Sequence, residues 1–190
     1  DIKSLIESSK SENQKVDLLA VSKKQTIETI KAFYDLGQRD FGENYLQEAN
    51  EKLDSLKNLD IRWHYIGQLQ SKKIKDIIGK FDLIQTVYRE SEIQKISQMC
   101  EEKNIEQKIL IQVNIAGEET KQGVLPDDLA GLIEFTKQMP GVVLCGLMVF
   151  PPLEDSEEKA RAWFKKSKDL FDKYSSDQFS ILSMGTSQDF

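Results

Sequence analysis

Val16-Asp17-Leu18-Leu19-Ala20-Val21-Ser22 is a short run, apolar almost throughout. A strand with one wet face alternates apolar and polar residues. This run does not alternate, which is the pattern of a strand covered on both faces, as in a parallel sheet. Lys23 follows it. Then comes a helical pattern with Thr26 as N-cap, Ile27, Ile30, Phe33 and Tyr34 on one face, and Gly37 as the stop.

The same unit of strand, turn and helix recurs along the chain. Further strand runs are 40–44, 62–67, 83–87, 108–114, 142–149 and 179–184. Helices are expected near 45–58, between Ser71 and Gly79, near 90–103, from Pro126, and after Asp155, which has capping-box spacing to Glu158. Seven such alternations without a hairpin signal imply parallel strands joined by right-handed crossovers. An open doubly wound sheet and a (β/α)8 TIM-type barrel both satisfy this. Seven similar units in series favour the barrel, which typically needs ~200–250 residues. The expectation is therefore an α/β barrel whose eighth strand and last helix are missing from these 190 residues. No shift in composition marks a linker, so residues 1–190 read as a single domain.

Charge and rare residues narrow the function. Lys and Arg number 26 against 32 Asp and Glu, a net charge of −6. An acidic chain without a basic block argues against binding nucleic acid. No apolar run approaches the ~20 residues that cross a bilayer, and the start at Asp1 does not read as a signal peptide. The two cysteines, Cys100 and Cys145, read as reduced thiols of a cytoplasmic protein. With one histidine, His64, the chain is poorly supplied for a metal centre, so none is expected. There is no G-x-G pair and no P-loop signature.

In a barrel, chemistry gathers where strands end. Those positions carry Ser22 and Lys23, Glu43 and Asn44, Gly67 and Gln68, Thr86, Asn114, Met148, and Ser183 with Gly185. A lysine flanked by apolar strand is partly desolvated, which frees a neutral amine to attack a carbonyl; the plainer alternative is a surface lysine. The turn Ser183-Met184-Gly185-Thr186-Ser187 offers hydroxyls and backbone N–H groups to an anion, or is an ordinary turn. Together the two fit an aldehyde phosphate such as pyridoxal phosphate. A barrel holding another phosphorylated metabolite, with Lys23 as a plain charge, is the competing reading. His64 lies inside the third strand, either in the core or facing the ring of strand ends.

Seven blocks, in order and in register, carry a more specific likeness. They are Leu19–Lys23, Phe41–Tyr45 with Gln47 and Glu48, Trp63-His64 with Ile66-Gly67, and Leu69–Ser71 with Lys73. The others are Val113–Ile115 with Glu118, Lys121 and Gly123, then Gly146–Met148, and Leu182–Gly185 with Ser187. In these the chain resembles the pyridoxal phosphate homeostasis protein family, a single-domain relative of the alanine racemase barrel. The resemblance implies a fold-type III barrel that holds pyridoxal 5′-phosphate as a Schiff base on Lys23. It further implies Asn44 and His64 beside the cofactor, and Ser183 and Gly185 at its phosphate. The implied role is a non-catalytic, cytoplasmic, monomeric carrier with transient contacts to apo pyridoxal phosphate enzymes. The alternative it leaves is an amino-acid racemase. Gln25, Lys72 and Thr186 depart from the family's usual residues, and its closing strand, Val-Arg-(Ile/Val)-Gly, does not occur in these residues.

Overall fold

The computed structural model describes residues 2–12, 14–152, 154 and 156–186. Seven parallel strands alternate with helices in an α/β fold. The chain divides into two compact units, Asp1–His64 and Tyr65–Phe190.

The first unit runs α1 (Ile2–Ser9), β1 (Ala20–Val21), α2 (Ile27–Asp35), β2 (Asp40–Glu43), α3 (Leu46–Ser55) and then β3 (Arg62–Tyr65), whose final residue opens the second unit. β1 lies parallel to β2, with Ala20 opposite Phe41 and Val21 opposite Gly42. The Thr26 hydroxyl accepts the Thr29 N–H, capping α2 as its sequence predicts, and Gly37 closes that helix at φ 88°. Ile30, Phe41, Ala49, Leu56 and Trp63 form the buried interior of this unit, with the Phe41 and Trp63 rings 5.9 Å apart. The strand predicted over 16–22 shrinks to two residues, and Val16 and Val21 are 39% and 48% exposed. The reason is position. β1 stands first in the strand order and, among the described residues, pairs with β2 alone, so its other edge stays open to solvent.

The second unit runs α4 (Ile74–Ile77), β4 (Leu83–Val87), α5 (Glu90–Lys103), β5 (Gln107–Val113), α6 (Leu129–Lys137), β6 (Val142–Val149), α7 (Glu157–Asp172) and β7 (Ile181–Met184). Its strands follow chain order, β4-β5-β6-β7, each parallel to the next. Every residue of β4 is buried, and Lys108 is the one exposed residue of β5, the two-sided cover that uninterrupted apolar runs require. α5 and β6 occupy the spans their sequence predicts. α6 begins three residues after Pro126, because Pro126 instead heads a turn closed by Asp128 N–H to Leu125 O. α4 starts at Ile74, because the Lys73 N–H closes a turn on Gln70 O that takes up Ser71. Ser156 caps α7 by accepting the Lys159 N–H; Asp155 lies outside the described residues.

The sheet is curled across β4–β7. β4 and β7 are three strand spacings apart, ~14 Å across a flat sheet. Yet the Ser183 hydroxyl on β7 donates to Gln85 Oε1 on β4 at 2.7 Å, which two short side chains bridge only if the sheet bends toward them. Two irregularities supply bend. β4 fits one extra residue between Ile84 and Val87, and β6 fits one at Cys145. Leu83, Leu110, Cys145 and Met148 pack together as a buried cluster on these strands.

Candidate functional site

Lys23 follows β1, in a turn built by its neighbours. The buried Ser22 hydroxyl donates to Glu43 Oε1 at 2.6 Å. Lys52, on α3, donates to Ser22 O at 2.7 Å, Glu43 Oε1 at 2.7 Å and Glu48 Oε1 at 2.6 Å. On the other side the Lys24 N–H donates to Glu48 Oε1, with Lys24 in the left-handed region at φ 61°. Lys23 itself is exposed, not desolvated as its apolar flank predicts, because the two-residue β1 ends before it and the turn carries it outward. Asn44 directly follows β2, and its Oδ1 is buried with no hydrogen-bond partner among the described residues. Lys52 escapes sequence reasoning. Its spacing to Glu48 is legible as an i,i+4 pair, but nothing local announces Glu43 as a second partner.

His64 lies toward the other end of β2. Its Nε2 is 3.2 Å from Asp40 Oδ1, and Asp40 is the first residue of β2 whereas Asn44 follows the last. Asp40 also accepts Arg62 Nε at 2.7 Å. Burial alone would raise the Asp40 pKa, but the Arg62 hydrogen bond and charge, aided by His64, hold it below the ordinary carboxylate value. A cleft of about 200 Å³ opens at this end, lined by Leu18, Gln38, Asp40 and Arg62 among others.

In the second unit Ser183 is half-buried and bonded to Gln85, itself 3% exposed. Gly185 turns the chain after β7 at φ 99°, a conformation natural to glycine; Ser187 lies outside the described residues. Thr86 donates to Gly67 O at 2.6 Å. Asn114 is committed to its own loop, its amide donating to Glu118 O and Lys121 O and accepting the Glu118 N–H. In the first unit the strand ends give a pinned lysine turn beside an amide oxygen that no described residue partners; in the second they give a serine–glycine turn after β7. Within the first unit an exposed primary amine can react with an aldehyde, and within the second a hydroxyl beside a glycine turn can donate to an anion. Among the described residues no cluster of three His, Cys, Asp or Glu could hold a metal, and no helix is long and apolar enough to cross a membrane.

Residues 4–190 match the family model described as alanine racemase, N-terminal domain. Over 177 residues the chain is 41% identical to the pyridoxal phosphate homeostasis protein of Aquifex aeolicus (strain VF5), covering 91% of this chain and 77% of that one. The chain belongs to the pyridoxal phosphate homeostasis protein family. The family member of Pasteurella multocida (strain Pm70) is 34% identical over 196 residues, 100% of this chain and 84% of its own. Among solved structures, PipY of Synechococcus elongatus PCC7942 without PLP superimposes with a TM-score of 0.85 at 31% identity, covering 98% of this chain and 88% of PipY. The same protein with PLP bound gives a TM-score of 0.83 at 29% identity, with the same coverage. Alanine racemase of Clostridium difficile 630, 17% identical with a TM-score of 0.75 over 97% of this chain and 49% of its own, shares the fold.

Proposed function

We propose that this chain binds pyridoxal 5′-phosphate as a Schiff base on Lys23 and acts as a non-catalytic carrier and buffer of that cofactor in the cytoplasm. The observation that carries the reading is the lysine turn: an exposed amine between two anchored residues, with the buried Asn44 Oδ1 given no donor by the described residues. The Lys23 nitrogen forms a C=N bond to the aldehyde carbon, and the carbonyl oxygen leaves as water. Asn44 accepts a hydrogen bond from the bound cofactor, and Ser183 and Gly185 hold its phosphate. The names of the Aquifex and Pasteurella relatives, and PipY solved with PLP, support this reading. On this reading the seven strands belong to a cofactor-binding (β/α)8 barrel. The protein works as a monomer that touches apo pyridoxal phosphate enzymes transiently.

The test is spectroscopic and chemical. Mixed with pyridoxal phosphate, the protein develops visible absorbance; borohydride then fixes the cofactor on the peptide containing Lys23. Label recovered mainly on Lys24 or Lys121 overturns the assignment, and an unchanged visible spectrum points to a phosphorylated metabolite held by charge alone. The fold shared with alanine racemase favours a second reading, an amino-acid racemase. Rapid deuterium exchange at the α-carbon of L-alanine with racemisation, lost in Lys23→Ala, would establish it.

A further inference from the structure

Lys52 is a lysine where lysines rarely sit. It is 4% exposed, and three donated hydrogen bonds, to Ser22 O, Glu43 Oε1 and Glu48 Oε1, use all its ammonium protons. Its two carboxylate partners differ. Glu43 is wholly buried at the end of β2, whereas the Glu48 side chain, in the first turn of α3, is 27% exposed. Replacing a buried charge cluster with apolar residues of similar volume is often neutral or stabilising, so stability alone does not call for one here. What distinguishes this cluster is where it grips the chain. Ser22 is held through its carbonyl by Lys52 and through its hydroxyl by Glu43. Lys24 is held through its N–H by Glu48, in a left-handed conformation that a non-glycine residue adopts only when its surroundings impose it. The one residue between these two anchors is Lys23.

We infer that Lys52 is a positioning residue. Through Glu43 and Glu48 it clamps the backbone on both sides of Lys23, so that this amine, and not that of the adjacent Lys24, is presented to the cofactor. The inference rests on the reading of Lys23 as the cofactor lysine. It adds that the selectivity between two neighbouring, equally charged lysines comes from a buried network and not from either side chain.

The experiment follows pyridoxal phosphate capture by the full chain. Borohydride quenching at timed intervals and peptide mapping give the rate at Lys23 and the ratio of label on Lys23 to Lys24. Wild-type protein is expected to favour Lys23 by about tenfold or more, and Lys52→Met to lower the Lys23 rate about tenfold and bring the ratio near one, with far-UV circular dichroism unchanged. Should Lys52→Met fail to fold, Glu48→Ala, altering a partly exposed side chain, decides the matter. It should shift the ratio in the same direction and make the Lys24 amide exchange with solvent faster. A wild-type rate and ratio in a folded Lys52→Met, or in Glu48→Ala where Lys52→Met does not fold, overturns the clamp while leaving Lys23 as the cofactor lysine. Wild-type label that avoids Lys23 overturns the parent reading, and the clamp with it.

Discussion

A serine hydroxyl has one proton to give, and that of Ser183 goes to Gln85 Oε1. A phosphate oxygen arriving at the same hydroxyl competes for that proton. Ser183→Ala is therefore expected to weaken pyridoxal phosphate binding by about 1–3 kcal/mol, the usual cost of leaving a charged acceptor short of a donor. Titration of the visible band measures it, and an unchanged affinity would remove Ser183 from the phosphate site. Asp40 makes a different point at the same scale. Arg62 and His64 outweigh its burial and lower its pKa, so the folded state holds the charged form more strongly than the unfolded chain does. That contribution is complete above the unfolded value of ~3.9 and is lost as pH falls through the lower folded value. Asp40→Asn should lose less stability on acidification than the parent, which urea midpoints between pH 3 and 7 would show. None of these partners is legible in sequence. Ser183 lies 98 residues from Gln85, and Asp40 lies 22 and 24 residues from Arg62 and His64, so a pattern read over a few positions cannot see these partners.

Elements were more legible than contacts, and the exceptions share a cause. The span of α5 follows from its apolar spacing, and that of β6 from eight residues with no alternation. The run over 16–22 predicts a longer β1 than forms, because it states apolarity and not how many neighbours the strand will have. β6 also hides an extra residue at Cys145, which no periodicity reveals. The next residue, Gly146, has φ 151°, and a Cβ placed there would lie 1.8 Å from Ile181 O. Gly146→Ala should push β7 from its partner and destabilise the protein by at least the ~1–3 kcal/mol typical of overpacking. A urea midpoint equal to that of the parent would show that β7 can give way without cost. At the start of α5, Glu92 accepts the N–H groups of Tyr88 and Arg89. Burial nevertheless dominates and raises its pKa, the reverse of Asp40. Its contribution is full below the unfolded value of ~4.3 and declines as pH rises through the raised folded value. Glu92→Gln is expected to flatten that decline, so the two variants should alter opposite limbs of the stability profile.

For the whole molecule, the seven repeated units were readable, because each unit carries its own punctuation. The burial of Lys52 was not, since a lysine on an amphipathic helix reads as a solvated one until tertiary structure encloses it. The extra residue in β6 has one more use. Cys145 is buried there, as Cys100 is on α5, and burial pushes both thiols up in pKa. Both belong to the second unit, so a thiol-modifying reagent in solution is a clock for that unit alone. It advances only in the moments when packing around the sulfur opens and a thiolate can form. Timed alkylation of the two sites, with and without pyridoxal phosphate, would then separate a breathing of one strand from an opening of the whole second unit. Equal slowing at Cys100 and Cys145 marks the collective motion, and slowing at Cys145 alone marks the local one.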